Sequence, residues 1–212
     1  QQHLAPANLA LAVIGASLLW FGWMGFNGGS GLAANERAVM AIIVTQIAAA
    51  AGAVAWMFTE WKTRSKPSLL GMISGAVAGL VAITPGSGFV EPAPALFIGL
   101  LAGVVCFFMV AVVKAKFGYD DSLDAFGVHG VGGILGAILT GFFASSAVTG
   151  SELPAMWTQV GIQVLSVVAT LVYGGVMSFV ILFIIKKTMG LRVSTDDELS
   201  GLDLASHGER IE

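Results

Sequence analysis

The chain has 212 residues, of which 56% are hydrophobic and only 11% are charged, and its mean hydropathy is +0.87. Because soluble domains carry about 25% charged residues, this composition excludes a surface that faces water on all sides and predicts lipid as the solvent. The net charge of −3, without a basic stripe, also excludes a nucleic-acid partner.

Six apolar stretches are each long enough to cross a bilayer, which takes about 20 helical residues at a rise of about 1.5 Å per residue. In chain order, the predicted spans cover approximately residues 9–26, 38–58, 68–84, 95–113, 124–143 and 157–185. Residues 186–212 are too polar to insert. The sequence therefore predicts an all-α membrane protein, a polytopic bundle of transmembrane helices followed by a tail.

Basic residues follow the second, fourth and sixth spans, whereas the other connections contain only Arg37. The positive-inside rule then predicts that the 59–67 loop, the 114–123 loop and the tail are cytoplasmic. This orientation describes a multi-pass protein of the cell (inner) membrane, with a cytoplasmic C-terminus. The basic residues are Lys62, Arg64, Lys66, Lys114, Lys116, Lys186, Lys187 and Arg192.

Many of the 28 glycines are spaced four residues apart, which is about one helical turn. Such small residues let another helix approach closely. We therefore expect tight helix packing at three sets of positions. They are Gly71, Gly75 and Gly79; Gly99 and Gly103; and Gly132 and Gly136.

His129 stands out among the ionisable residues because it lies inside an apolar span. A functional role is the default hypothesis for such a residue, and the alternative is a neutral imidazole hydrogen-bonded to a neighbouring helix. Gly132, Gly133 and Gly136 fall on the same helix face. That face is free of bulky side chains, as either a close helix contact or a narrow channel requires.

The first span ends in aromatic residues followed by a hydroxyl. Trp20, Trp23 and Phe26 are spaced three apart, and Ser30 follows. Aromatic faces attract cations, and a hydroxyl can accept a hydrogen bond from an ammonium-type donor. An interfacial aromatic belt remains the alternative interpretation.

For two further residues, the sequence context favours a structural role. Asp124, with Asp121 and Ser122, lies near the start of the fifth span, where carboxylates cap backbone amides. Cys106 is the single cysteine and lies in an apolar run, so it predicts a buried small side chain and excludes an internal disulfide. The sequence contains neither a catalytic constellation nor a metal-ligand cluster, so we expect a non-enzyme without cofactors.

Four motifs carry a resemblance to a known family. The runs LLWFGWMGFNGGS, ITPGSGFVEP, DDSLDAFGVHGVGG and GLRVSTDDELSGLDLASHGE, in this order, resemble the Amt/Mep/Rh ammonium transporters, and the bacterial Amt branch most. The resemblance implies a homotrimer of eleven-helix protomers, each built from two inverted repeats. This chain would correspond to helices six to eleven, one half of the inverted-repeat transporter, so Gln1 is not expected to be the natural start.

The resemblance also implies roles for individual residues. His129 corresponds to a pore histidine, and Phe26 to a gate phenylalanine. Ser30 corresponds to the hydroxyl of an outer recruitment site. The remaining correspondences are Trp23 and Leu19 beside the pore wall, Asn27 and Thr84 within matched motifs, and Asp124 as a structural acid.

The function implied is ammonium transport, with methylammonium as an analogue of the substrate. Ammonium would be recruited at the outer vestibule and deprotonated, and ammonia would pass the pore histidine. The implied partners are the N-terminal half of the same protein, two further copies of the protomer and a PII-class regulator at the cytoplasmic tail. The alternatives are an ammonium sensor that signals through the tail and half of an ion-coupled transporter, although the latter usually has more buried acids.

Overall fold

The structure, a computed structural model, describes residues 8–209 and is built almost entirely of helices. The chain divides into two compact units, residues 1–167 and 168–212. The α-helices are α1 (Leu9–Gly29), α2 (Glu36–Arg64), α3 (Leu69–Ile83), α4 (Pro92–Phe108), α5 (Lys114–Phe117), α6 (Val131–Phe143), α7 (Ser146–Thr149), α8 (Met156–Thr188), α9 (Thr195–Ser200) and α10 (Leu202–His207).

Within residues 8–209, six helical segments are long and apolar enough to cross a membrane, as judged by length and composition. Two of them include irregular turns. The helical segment of α4 continues through a π-helical turn, Met109–Val113, into α5, and a second π-helical turn, Phe126–Gly130, precedes α6. The all-α fold class predicted from the sequence is confirmed.

Helices α3 and α4 both pack against α2, and glycines make these contacts close. A Cβ at Gly75 or Gly103 would collide with the backbone of α2 at Gly52. Gly79 and Gly99 in turn lie against the backbone of α2 at Ala48. The tight packing expected from the glycine spacing is therefore present where α3 and α4 meet α2.

The glycines that follow His129 make a similar contact. Gly136 lies directly against the carbonyl oxygen of Ala82 in α3. A Cβ added to Gly132 would lie 3.4 Å from Cγ1 of Val81. For Gly136, the structure therefore decides between the two interpretations in favour of close helix packing. Cys106 is fully buried in the same core and is a free thiol, as the sequence predicted.

A buried carboxylate joins α2 to α3 beyond the predicted end of the second span. Glu60 is 5% exposed, and its Oε2 accepts hydrogen bonds from the backbone N–H (2.9 Å) and the hydroxyl (3.0 Å) of Ser68. Arg64 lies 3.6 Å from the other carboxylate oxygen. A buried charge needs such partners, so the turn between these two helices is specified by side chains as well as by backbone.

In residues 168–212, α8 continues to Thr188 and is followed by α9 and α10. Ser194 caps α9 by accepting a hydrogen bond from the N–H of Asp197 (3.2 Å). Arg192 forms an ion pair with Glu198. The polar tail thus contains two short helices with local side-chain contacts.

Candidate functional site

One face of α1 presents four of the predicted site residues. Leu19, Trp23, Phe26 and Ser30 follow one another at spacings of four, three and four residues, which is the period of a helix. Phe26 is 61% exposed and Leu19 is 47% exposed, whereas Trp23 is partly buried. These residues therefore form a stripe along the helix rather than a ring at its end.

Trp23 is held by a hydrogen bond to α3. Its indole Nε1–H donates to Thr84 Oγ1 at 2.8 Å, and the Thr84 hydroxyl donates to the carbonyl of Leu80 at 2.8 Å. Thr84 begins a 3₁₀ turn in which Pro85 is the next residue. Proline has no N–H and cannot continue the α-helical ladder, so α3 ends where the threonine can reach the indole.

His129 completes the cluster. Its imidazole stacks on the indole of Trp23, with ring centroids 6.3 Å apart and an interplanar angle of 24°. Phe26 meets the same indole edge-on, with centroids 6.3 Å apart and an angle of 80°. Residues from α1, from the end of α3 and from the π-helical turn before α6 therefore converge, and the His129 side chain is exposed.

Ser30 ends α1 with its hydroxyl turned back onto the helix. The hydroxyl donates to the carbonyl of Phe26 at 2.6 Å. A serine hydroxyl has one proton and two acceptor lone pairs. Because the proton is engaged, the exposed oxygen is available as a hydrogen-bond acceptor.

Asn27 is not brought to this cluster. It is only 4% exposed, and its Nδ2 donates to Thr45 Oγ1 at 2.9 Å. Thr45 in turn donates to the carbonyl of Ala41. The asparagine thus joins α1 to α2 on the side of α1 that faces the core.

The prediction that Asp124 caps backbone amides is wrong, because the neighbouring Asp121 forms these hydrogen bonds. Asp121 Oδ2 accepts the hydrogen bonds from the backbone N–H groups of Phe126 (3.0 Å) and Gly127 (3.2 Å). Asp124 instead forms an ion pair with Lys114 at 2.7 Å. Its backbone conformation is left-handed, with φ of 55°.

Chemically, the cluster presents the imidazole of His129 among aromatic and aliphatic side chains. Such a surface gives a small polar molecule a hydrogen-bond partner without a fixed charge. No group of three His, Cys, Asp or Glu side chains within residues 8–209 could hold a metal ion. The six apolar helices of the described residues define the class of this chain as a polytopic all-α membrane protein.

Comparison with known proteins identifies the family. Residues 1–211 match the sequence profile of the Ammonium Transporter Family, and the chain belongs to that family. It is 53% identical over 209 residues to the ammonium transporter of Aquifex aeolicus. The aligned region covers 98% of this chain and 49% of that protein.

Solved structures agree with this assignment. The fold matches Saccharomyces cerevisiae Mep2 with a TM-score of 0.83 and 37% identity, over 91% of this chain and 45% of that one. It also matches a protein described as "Sensor Amt Protein", with a TM-score of 0.87 and 33% identity, over 95% of this chain and 50% of that one. The chain therefore spans about half the length of the relatives it matches, and it corresponds to a C-terminal part.

Proposed function

We propose that this chain is the C-terminal half of an ammonium transporter that recruits ammonium at its outer vestibule, removes a proton and conducts ammonia past His129. The observation that carries the proposal is the stacking of the His129 imidazole on Trp23, whose indole is held by Thr84. This arrangement supports a fixed, polar but uncharged contact on an exposed face of the bundle.

The proposal solves a selectivity problem. Ammonium and potassium have the same charge, and a bare cation crosses a dry apolar conduit only at a cost of at least several kcal/mol. Ammonium can lose a proton and cross as a neutral molecule, whereas potassium cannot. The imidazole then replaces one of the hydrogen bonds that ammonia had in water.

Ser30 and Phe26 supply the recruitment step in this proposal. The oxygen of Ser30 can accept a hydrogen bond from ammonium because its own proton is engaged by the carbonyl of Phe26. The exposed ring of Phe26 adds a favourable cation–π interaction until the proton leaves.

We further propose a homotrimer in the inner membrane, with the C-terminus in the cytoplasm. The basic residues after the second, fourth and sixth apolar helices support this orientation. The polar tail with α9 and α10 would then be available to a PII-class regulator. Sensing through the tail is not favoured as the primary function, because the curated relatives are named as transporters.

The test is His129→Ala in a full-length protein, reconstituted in vesicles without any regulator. We expect methylammonium uptake per assembled protein to fall by roughly tenfold or more, or the exclusion of potassium to fail, because the conduit loses its hydrogen-bond partner. His207→Ala, the same substitution in the exposed tail, is the matched control. Unaltered uptake and unaltered potassium exclusion in His129→Ala would contradict the proposal.

A further inference from the structure

His129 lies in one of two π-helical turns that the bundle brings into contact. The first turn covers Met109–Val113 and is closed by a hydrogen bond from Lys114 N–H to the carbonyl of Met109. The second covers Phe126–Gly130 and is closed by a hydrogen bond from Val131 N–H to the carbonyl of Phe126. Turns of this type are rare and occur frequently at functional sites.

The two turns meet at Gly127 and Val110. A Cβ added to Gly127 would lie 2.8 Å from Cγ2 of Val110, which is closer than real side chains approach. Valine is stiff about χ1, and Val110 packs against the buried core of the bundle. Only glycine at position 127 therefore lets the two turns lie in direct contact.

Hydrogen bonds hold the second turn on both sides of this contact. The thiol of Cys106 lies 3.9 Å from the carbonyl oxygen of Val128, the residue before His129. On the other side, Lys114 Nζ donates to the carboxylate of Asp124 at 2.7 Å and also to the carbonyl of Asp121. The end of α4 and the start of α5 thus contact the segment that precedes His129 at several points.

We propose that Gly127 and Val110 are positioning residues for conduction, because the contact between the two π-helical turns sets the depth and orientation of the His129 imidazole. This inference rests on the proposed function of His129. Trp23 holds one face of the ring, and the contact between the turns holds the backbone from which the ring projects. A displacement of about 1 Å can reduce the rate of a well-positioned process by about 100-fold.

The experiment is a double-mutant cycle in the full-length protein. We expect Gly127→Ala to lower methylammonium uptake per assembled protein by roughly tenfold and to raise the ratio of potassium to methylammonium flux. Adding Val110→Ala removes the methyl group that the new Cβ would meet, so the double variant should recover most of the uptake and the selectivity. Unchanged transport in Gly127→Ala, or a loss that Val110→Ala does not restore, would overturn the inference.

The single variant Val110→Ala provides a second test if Gly127→Ala does not assemble. It leaves space opposite Gly127, so we expect the flux ratio to rise by at least several-fold. Val112→Ala is the matched control, because Val112 lies in the same turn but is 51% exposed. Equal flux ratios in Val110→Ala and Val112→Ala would also overturn the inference.

The result for His129→Ala separates this inference from the proposed function. If His129→Ala leaves transport and selectivity unaltered, the proposed function fails and the positioning role fails with it. If His129→Ala alters them while the Gly127 and Val110 variants do not, only the positioning role fails.

Discussion

At the scale of single residues, the site depends on a series of contacts in which the Thr84 hydroxyl forms two hydrogen bonds. Its hydroxyl donates to the carbonyl of Leu80 and accepts the indole N–H of Trp23. The indole then supports His129 by stacking. Thr84 therefore influences the position of the His129 imidazole indirectly, through Trp23.

This chain of contacts predicts the effect of Thr84→Val. Valine has a similar shape but cannot accept the indole hydrogen bond, and a buried donor left without a partner costs about 1–3 kcal/mol. We expect uptake of methylammonium by the full-length protein to fall several-fold because the indole is no longer held beside His129. Thr84→Ser keeps the hydroxyl and should retain uptake close to that of the unmodified protein; equal uptake in the valine and serine variants would contradict this role.

Other residues show where reasoning from sequence reaches its limit. The sequence grouped Trp23 and Phe26 by their spacing of three residues, and the resemblance added Leu19. Asn27, which lies in the same motif, is buried against Thr45 on another face of the helix. The acidic cluster at 121–124 indicated an amide cap, but only the side-chain contacts in the structure show that Asp121 caps while Asp124 pairs with Lys114.

At the scale of helices, glycines determine how closely the elements pack. Gly79 lies against the backbone carbonyl of Ala48, so a side chain there cannot be accommodated by the rotation of a neighbouring side chain. Without a Cβ, α3 approaches α2 closely and contributes dispersion contacts along its length. The GxxxG spacing identified these contacts, but it did not identify which helix lies opposite each glycine.

Gly79→Ala should therefore lower the stability of the bundle, whereas Gly161→Ala should not. Overpacking a close helix contact costs about 1–3 kcal/mol, so we expect Gly79→Ala to lower the thermal unfolding midpoint in detergent. Gly161 in α8 has no heavy atom within 4 Å of an added Cβ, and alanine is favoured over glycine in a helix by about 1 kcal/mol. Gly161→Ala should leave the midpoint unchanged or raise it, and a midpoint lowered equally in both variants would contradict the packing argument.

At the scale of the whole molecule, the candidate site lies on an exposed face. His129, Phe26 and Leu19 are all exposed in a chain that spans about half the length of its relatives. Under the proposed function, a conduit needs walls on all sides, because ammonia must be kept from water and potassium must be excluded. We therefore propose that the N-terminal half of the transporter covers this face.

This inference predicts the behaviour of the 212 residues on their own. Reconstituted alone in vesicles, they should conduct neither methylammonium nor ammonium selectively, because the face that carries His129 lacks its opposite wall. Coexpression with the N-terminal half should restore uptake that His129→Ala abolishes. Selective, His129-dependent uptake by the 212 residues alone would contradict the prediction.

Composition and periodicity determined the lipid environment, the six apolar helices and the exceptional position of His129, because each of these depends on residue type and local spacing. Only the tertiary structure decided what the stripe on α1 faces, which acid caps the π-helical turn before α6 and how the two π-helical turns meet. Those features depend on contacts between residues far apart in sequence, such as Trp23 with Thr84 and Val110 with Gly127. A hydrophobic pattern specifies which face of a helix is apolar, but it does not specify the neighbour against which that face packs.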